Sequence, residues 1–218
     1  MNAEIEGLAR RILEAATGRD RFIVAIAGPP ASGKSTLVDD LKRAIDDAAG
    51  MDCVGLFPMD GFHFDDAVLT ARGQRARKGA AFTFDVAGYA AALKRIRAGG
   101  EEVAVPIFDR SLELSRAAAG IIGPQHRVVL TEGNYLLLDE APWAALGPLY
   151  DLTVRLAVPE PVLMERLTRR WHDHGKNGAS AAAWIASNDL PNIRHVLARS
   201  RPADITLTDP PPAGGVSA

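Results

Sequence analysis

The 218-residue chain carries 25 Lys and Arg against 27 Asp and Glu, a net charge of −2, and a single cysteine, Cys53. A balance this close to neutral gives no electrostatic basis for nucleic-acid or membrane-surface binding, and one cysteine closes no internal disulfide, which permits a reducing, cytoplasmic setting. No run approaches the roughly 20 apolar residues of a spanning helix, and the charged start of the chain is neither a signal nor a transit peptide. The expected organisation is a single domain over 1–209 and a disordered tail over 210–218, whose Pro210-Pro211-Pro212-Ala213-Gly214-Gly215 has nothing to bury.

Ile5, Leu8, Ala9, Ile12, Leu13 and Ala16 recur at three and four residues, which predicts an amphipathic helix stopping near Gly18. A buried strand follows at about 21–27, Phe22-Ile23-Val24-Ala25-Ile26-Ala27. Directly behind it stand Gly28-Pro29-Pro30-Ala31-Ser32-Gly33-Lys34-Ser35-Thr36, the spacing of a P-loop. Successive backbone N–H groups of such a loop, backed by a helix N-terminus, form a concave nest for a nucleotide's phosphates. Lys34 would reach the β- and γ-phosphates and the Ser35 hydroxyl would hold Mg²⁺. A plain Gly/Pro turn does not account for a lysine followed by two hydroxyls.

Leu37, Val38, Leu41, Ala44 and Ile45 keep helical spacing up to Gly50, and Val54-Gly55-Leu56-Phe57 is a short second strand. Strand, helix and strand together predict a parallel sheet with functional groups beyond its carboxyl ends. Met59-Asp60-Gly61-Phe62-His63 lies at such an end. A short helix near Asp65–Thr70, a basic loop from Arg72 to Lys78, a helix over Val86–Ile96 and a small hairpin from Val103 to near Leu112 are expected next. Val128-Val129-Leu130-Thr131 is a buried strand with Glu132-Gly133-Asn134-Tyr135 at its carboxyl end. Leu152 to Val158 is another strand, and Pro161 opens a helix bearing Arg166, Arg169 and Arg170, which at spacings of three and four can send two cations to one region. Helices at Ala182–Asn188 and Ile193–Ala198, around Pro191, and a strand at Asp204–Thr208 complete the chain.

Phosphoryl transfer requires a phosphate cradle, a metal, cations and a carboxylate to take the acceptor's proton. Asp60 and Glu132, at the ends of two strands, are the candidate carboxylates. His172 and His174 lack partners at zinc-ligand spacing, Cys53 reads as a packed thiol, and Trp143 and Trp184 as packing residues.

The ordered motifs Gly28–Thr36, Met59–His63, Arg77-Lys78-Gly79, Phe84-Asp85, Phe108-Asp109-Arg110, Glu132–Tyr135 and Asn188-Asp189-Leu190-Pro191-Asn192 resemble the P-loop kinases grouped with phosphoribulokinase, uridine kinase and type I pantothenate kinase. The resemblance covers about residues 20–208. It implies an α/β fold of three layers, a five-stranded parallel sheet of order 2-3-1-4-5 and a helical lid at about 166–180. It implies ATP and Mg²⁺, with Asp60 as base, Glu132 with Ser35 on the metal side, and Lys34 and Arg170 as catalytic cations. Gly28, Pro29, Pro30, Ala31, Ser32, Gly33, Lys34, Ser35, Thr36 and Arg166 would hold the nucleotide. Asp60, Phe62, His63, Arg77, Lys78, Arg110, Asn134, Tyr135 and Asn188 would face a small hydroxyl-bearing substrate. The chain departs from the branch it most resembles at Ala80-Ala81-Phe82-Thr83-Phe84-Asp85, where that branch carries a Pro and a Glu. The acceptor is left open among sugars, nucleosides and pantothenate-like alcohols, and so is a homodimer. A switch or motor ATPase is disfavoured by the lack of Asn-Lys-x-Asp and Leu-Ser-Gly-Gly-Gln motifs; a non-catalytic nucleotide sensor is the other alternative.

Overall fold

A computed structural model describes residues 3–173, 175 and 178–208. In chain order it contains α1 (Ala3–Ala16), β1 (Phe22–Ala27), α2 (Lys34–Ala49), β2 (Val54–Leu56), α3 (Asp66–Ala71), α4 (Val86–Ala98), β3 (Val103–Asp109), β4 (Leu114–Ile122) and β5 (Val128–Gly133). Then come β6 (Leu152–Leu156), α5 (Glu160–Asp173), α6 (Gly178–Trp184), a π-helical turn (Ile185–Asp189), α7 (Leu190–Arg199) and β7 (Ile205–Leu207).

Every residue of β1 is buried, which requires helices on both faces of its sheet. Side chains alternate across a strand, so Phe22, Val24 and Ile26 pack with α1 and α2, while Ile23, Ala25 and Ala27 pack with α4 and the segment around Trp143. This is a three-layer α/β/α architecture. The five-stranded sheet runs β2-β5-β1-β6-β7, all parallel, which is the order 2-3-1-4-5 once the separate β3–β4 hairpin is set aside. Neighbours β5 and β6 lie on opposite sides of β1, so the order reverses there and a crevice opens beyond its carboxyl end. A third apolar cluster, with Val158, Leu163, Leu167, Ile185 and Ile193, fastens α5, the π turn and α7 to one another.

Two expectations change in detail. The hairpin's second arm is nine residues long and extends to Ile122; its Ala117-Ala118-Ala119-Gly120 run has weak strand propensity and gave no signal. Pro106 is accommodated by a register irregularity between Val105 and Ile107 on a two-stranded sheet, where a missing N–H costs little. The two helices expected around Pro191 are joined without a break, because the π turn precedes a helix that takes Pro191 into its first turn. There a proline displaces no hydrogen bond the helix needs. Of the two histidines considered for zinc, His172 is exposed, and His174, like the expected tail at 210–218, lies outside the described residues.

Candidate active site

The loop after β1 folds as its residue types require. Gly33, at φ 95°, makes the left-handed turn into α2, a conformation that a side chain disfavours. Ala31 also sits in the left-handed region, φ 63°, at a cost of roughly 1–2 kcal/mol for a residue with a Cβ. The Arg166 guanidinium, reaching from α5, donates to the carbonyls of Ala31 and Ser32 at 3.4 and 3.3 Å and holds that turn. Lys34 is buried; its ammonium donates to the Pro29 carbonyl at 3.0 Å and to Asn134 Oδ1 at 2.8 Å. Burial lowers the Lys34 pKa against the opposing pull of Glu132 and Asp60.

Asp60 is placed by two close approaches. A Cβ on Gly61 would stand 2.2 Å from the Pro106 carbonyl oxygen, and one on Gly133 would stand 2.6 Å from the Met59 side chain. The Met59–Phe62 turn is thereby wedged between the hairpin and the end of β5, with Phe62 packed edge-on against Phe57 and Tyr89. Asp60 Oδ2 accepts from Arg110 at 3.1 Å. Glu132 Oε1 accepts from the Ser35 hydroxyl, next in the chain to Lys34, at 3.3 Å. Burial raises both carboxyls, but for Asp60 the charges of His63, Arg110, Lys34 and Arg170 outweigh it and the pKa falls below its ordinary value. Glu132 keeps the upward shift, reinforced by the Asp60 charge. The crevice thus holds one firmly ionised carboxylate and one that gives up its proton reluctantly.

Of the three arginines on α5, Arg166 and Arg170 turn inward and Arg169 is exposed. Burial lowers the Arg170 pKa, with the Arg110 cation adding to it and Asp189 and Asp60 opposing, so Arg170 shares the field at Asp60.

The remaining expected site residues join in one network. Arg77 donates to Asn188 Oδ1 at 3.4 Å and to Asn192 Oδ1 at 3.3 Å, and Asn188 Nδ2 returns a bond to the Lys78 carbonyl at 3.0 Å. The Lys78 ammonium is held by Asp66 at 2.7 Å and by the Glu113 carbonyl at 2.6 Å, and lies 5.3 Å from the Phe108 ring centre. His63 sits tilted between the Phe84 and Phe108 rings, with Nδ1 on the Asp60 carbonyl, and burial lowers its pKa. Tyr135 is fully buried beside Phe84 and Trp143; its hydroxyl donates to the Gly79 carbonyl at 2.6 Å, a support beneath the basic loop rather than a crevice surface. Asn134 is at Lys34 rather than in this network. Asn192, the last residue of the Asn188–Asn192 motif, stands four positions from Asn188, the spacing that brings two helical residues to one face, whereas nothing local in the sequence marks Asp66.

The chemistry of the cradle suits a nucleotide and Mg²⁺. Ser32 Oγ is buried without a hydrogen-bond partner, and a Cβ on Gly28 would come within 2.7 Å of it, so the loop interior accepts a group with acceptor oxygens and leaves no room for a side chain. The first N–H groups of α2 have no partners within the helix. Ser35 and Glu132 offer adjacent hard oxygens, and among the described residues no cluster of three or more His, Cys, Asp or Glu could cage a metal alone. Mg²⁺ is commonly held by one or two protein oxygens together with phosphates and water.

Comparison with known proteins agrees with this geometry. No protein-family model matches the chain. A protein of Schizosaccharomyces pombe named "Putative uridine kinase C227.14" is 31% identical over 92% of this chain and 88% of its own length. The chain belongs to the family of P-loop kinases that includes uridine kinase and phosphoribulokinase. Another relative, "Uncharacterized protein YggC" of Escherichia coli, is 32% identical over 94% of this chain and 88% of its own. The crystal structure of a "putative fructose transport system kinase" from Silicibacter sp. TM1040 superposes with a TM-score of 0.88 at 41% identity, covering 95% of this chain and 99% of that one. Among the described residues no helix is long and apolar enough to cross a membrane.

Proposed function

We propose that this chain is a kinase that transfers the γ-phosphoryl group of ATP to a hydroxyl of a small metabolite, of the class of sugars, nucleosides and pantothenate-like alcohols. One observation carries the reading: Lys34, at the phosphate cradle, lies in the field of two carboxylates of opposite character, Asp60 paired with Arg110 and Glu132 bonded to Ser35. Asp60, ionised at neutral pH, accepts the proton of the attacking hydroxyl, with Arg110 fixing its orientation. Ser35 and Glu132 hold Mg²⁺, which when bound neutralises phosphate charge. Lys34 exchanges its present partners for phosphate oxygens and, with Arg170, offsets charge on the transferring group. Residues 28–36 cradle the nucleotide, and the segment at about 166–180 acts as a lid, with Arg166 on α5 tying it to the loop. Phe62, His63, Arg77, Lys78 and Asn188 shape the acceptor side. The lone, buried Cys53 suits a reducing cytoplasm.

The test is ADP release from ATP·Mg²⁺ by purified protein across a panel of sugars, nucleosides, pantothenate and ribulose 5-phosphate, with Lys34→Ala as blank. Stimulation by one compound, abolished in the blank, establishes the kinase and names its acceptor. A flat panel alongside tight ATP binding favours a nucleotide sensor instead.

A further inference from the structure

At the opposite end of the strands from the P-loop, where β1 and β5 begin, lies a cavity of about 470 Å³. Its walls come from Asp20 and Arg21 before β1, the Gly99-Gly100 turn after α4, and Pro124 and Arg127 in the turn entering β5. The six residues of β1 separate it from the phosphate cradle, about 20 Å at roughly 3.3 Å per residue.

Arg21 is the unusual feature. It is only 7% exposed, yet among the described residues no carboxylate lies within ion-pairing distance. Its Nη1 donates to two main-chain carbonyls, of Gly123 at 3.1 Å and of His126. Its Nε is buried with no acceptor, and its Nη2 stands 3.9 Å from where Gly99 would carry a Cβ, at the cavity wall. A buried cation without a counter-charge is costly, and an anion removes that cost. The nearby acid cannot serve: Asp151 is already bonded to Arg19, Arg97 and the Ile23 amide. Arg127 adds a second, exposed guanidinium that makes no ion pair among the described residues and donates to the Arg19 carbonyl at 3.3 Å. A Cβ on Gly100 would meet nothing within 4 Å, so the turn leaves the mouth open. Asp20 is the one acid on the wall and works against an anion.

We propose that this cavity is a second anion site, distinct from the P-loop, which takes the phosphate group of a small phosphorylated metabolite between Arg21 and Arg127. Its volume falls within the range of small-ligand pockets, and a phosphate's tetrahedral oxygens match two guanidinium groups. The site does not depend on the kinase reading.

Inorganic phosphate, titrated into the full chain and followed by backbone amide chemical shifts, tests it, because the two ends of the strands report separately. Gly99, Gly100 and Arg127 amides are expected to move along a saturating curve of their own, whatever the 28–36 amides do. Arg127→Ala should weaken that curve about tenfold, the worth of one charge-assisted contact of roughly 1.5 kcal/mol. Arg21→Gln should abolish it, with unchanged 28–36 shifts showing that the fold is intact. Asp20→Asn should tighten it roughly threefold, the opposite sign, as for loss of a partly exposed like charge. Still amides at Gly99, Gly100 and Arg127 would overturn the proposal, and so would a curve indifferent to Arg127→Ala and Asp20→Asn, which would mean an adventitious ion only.

Discussion

The phosphate cradle is one unbroken stretch, Gly28 to Thr36, whereas the surface facing it across Asp60, together with its support, is gathered from five places in the chain. Arg77 meets Asn188 and Asn192 from 111 and 115 positions away, Tyr135 meets the Gly79 carbonyl from 56, and Arg110 meets Asp60 from 50. A local cradle needs only a strand before it and a helix after it. A gathered surface depends on the packing of the basic loop, the hairpin and the π turn, so acceptor specificity can change there while the nucleotide side stays as it is. On this view, substitutions on the two sides should separate nucleotide binding from everything else.

The largest separation is expected from Asp60→Asn. Losing a general base costs about 10²–10⁴ in turnover, while ATP affinity should stay within roughly threefold, because Asp60 touches Arg110 and not the loop. Turnover and nucleotide binding by calorimetry measure the two quantities. Full turnover in the variant would remove Asp60 as base, and an equal loss of affinity would erase the division between the sides.

Glu132→Gln should lower turnover at least about a hundredfold, as expected when a preorganised group at a transferring phosphate is lost, and raise the Mg²⁺ concentration needed. It should also stabilise the protein at neutral pH. The Glu132 pKa is raised by burial and by the Asp60 charge, so the stability associated with its protonated form is present below the ordinary value of 4.5 and is lost as pH rises through the folded value. Glutamine mimics the protonated form. The melting temperatures of variant and parent should therefore coincide near pH 4 and part as pH rises, by an amount of order 1 kcal/mol at neutral pH. Asp60 has the opposite sign: its depressed pKa gives stability above the ordinary carboxylate range that is lost on acidification. A Glu132→Gln variant less stable than the parent at pH 7 would mean that the Ser35 bond outweighs the burial of charge.

Asn188→Ala acts on the gathered side alone. Asn188 is buried and satisfies both the Lys78 carbonyl and Arg77 Nε, so its removal leaves a buried acceptor unpaired at about 1–3 kcal/mol. The expected result is a raised acceptor KM with nucleotide affinity unchanged, read from initial rates at varied acceptor.

The sheet and cradle were legible because their signals are local. The Phe22–Ala27 run, the P-loop spacing and the carboxylates at two strand ends each follow from neighbouring residues, and the strand order follows from the kinase resemblance. What escaped is non-local or of weak propensity. The middle of the β4 arm is Ala117-Ala118-Ala119-Gly120. Asp66 binds Lys78 only because α3 and the basic loop fold together. The bonds from Arg166 to the Ala31 and Ser32 carbonyls likewise join residues too far apart in the chain for a local signal. Tyr135 sits in a motif beside Glu132 and Asn134, but alternation along the chain turns it into the aromatic core.

Tyr135→Phe gives the smallest effect and the sharpest test of where the two sides part. The ring and its packing against Phe84 and Trp143 are kept, and only the bond to Gly79 is lost. That bond is worth about 1 kcal/mol, a fall in Tm of roughly 2–4 °C for a chain this long. If the sides are independent, amide exchange should quicken over residues 77–83 and stay unchanged over 28–36. Equal quickening in both would show that the cradle and the basic loop open as one cooperative unit, and the local character of the P-loop would then be a property of its sequence but not of its stability.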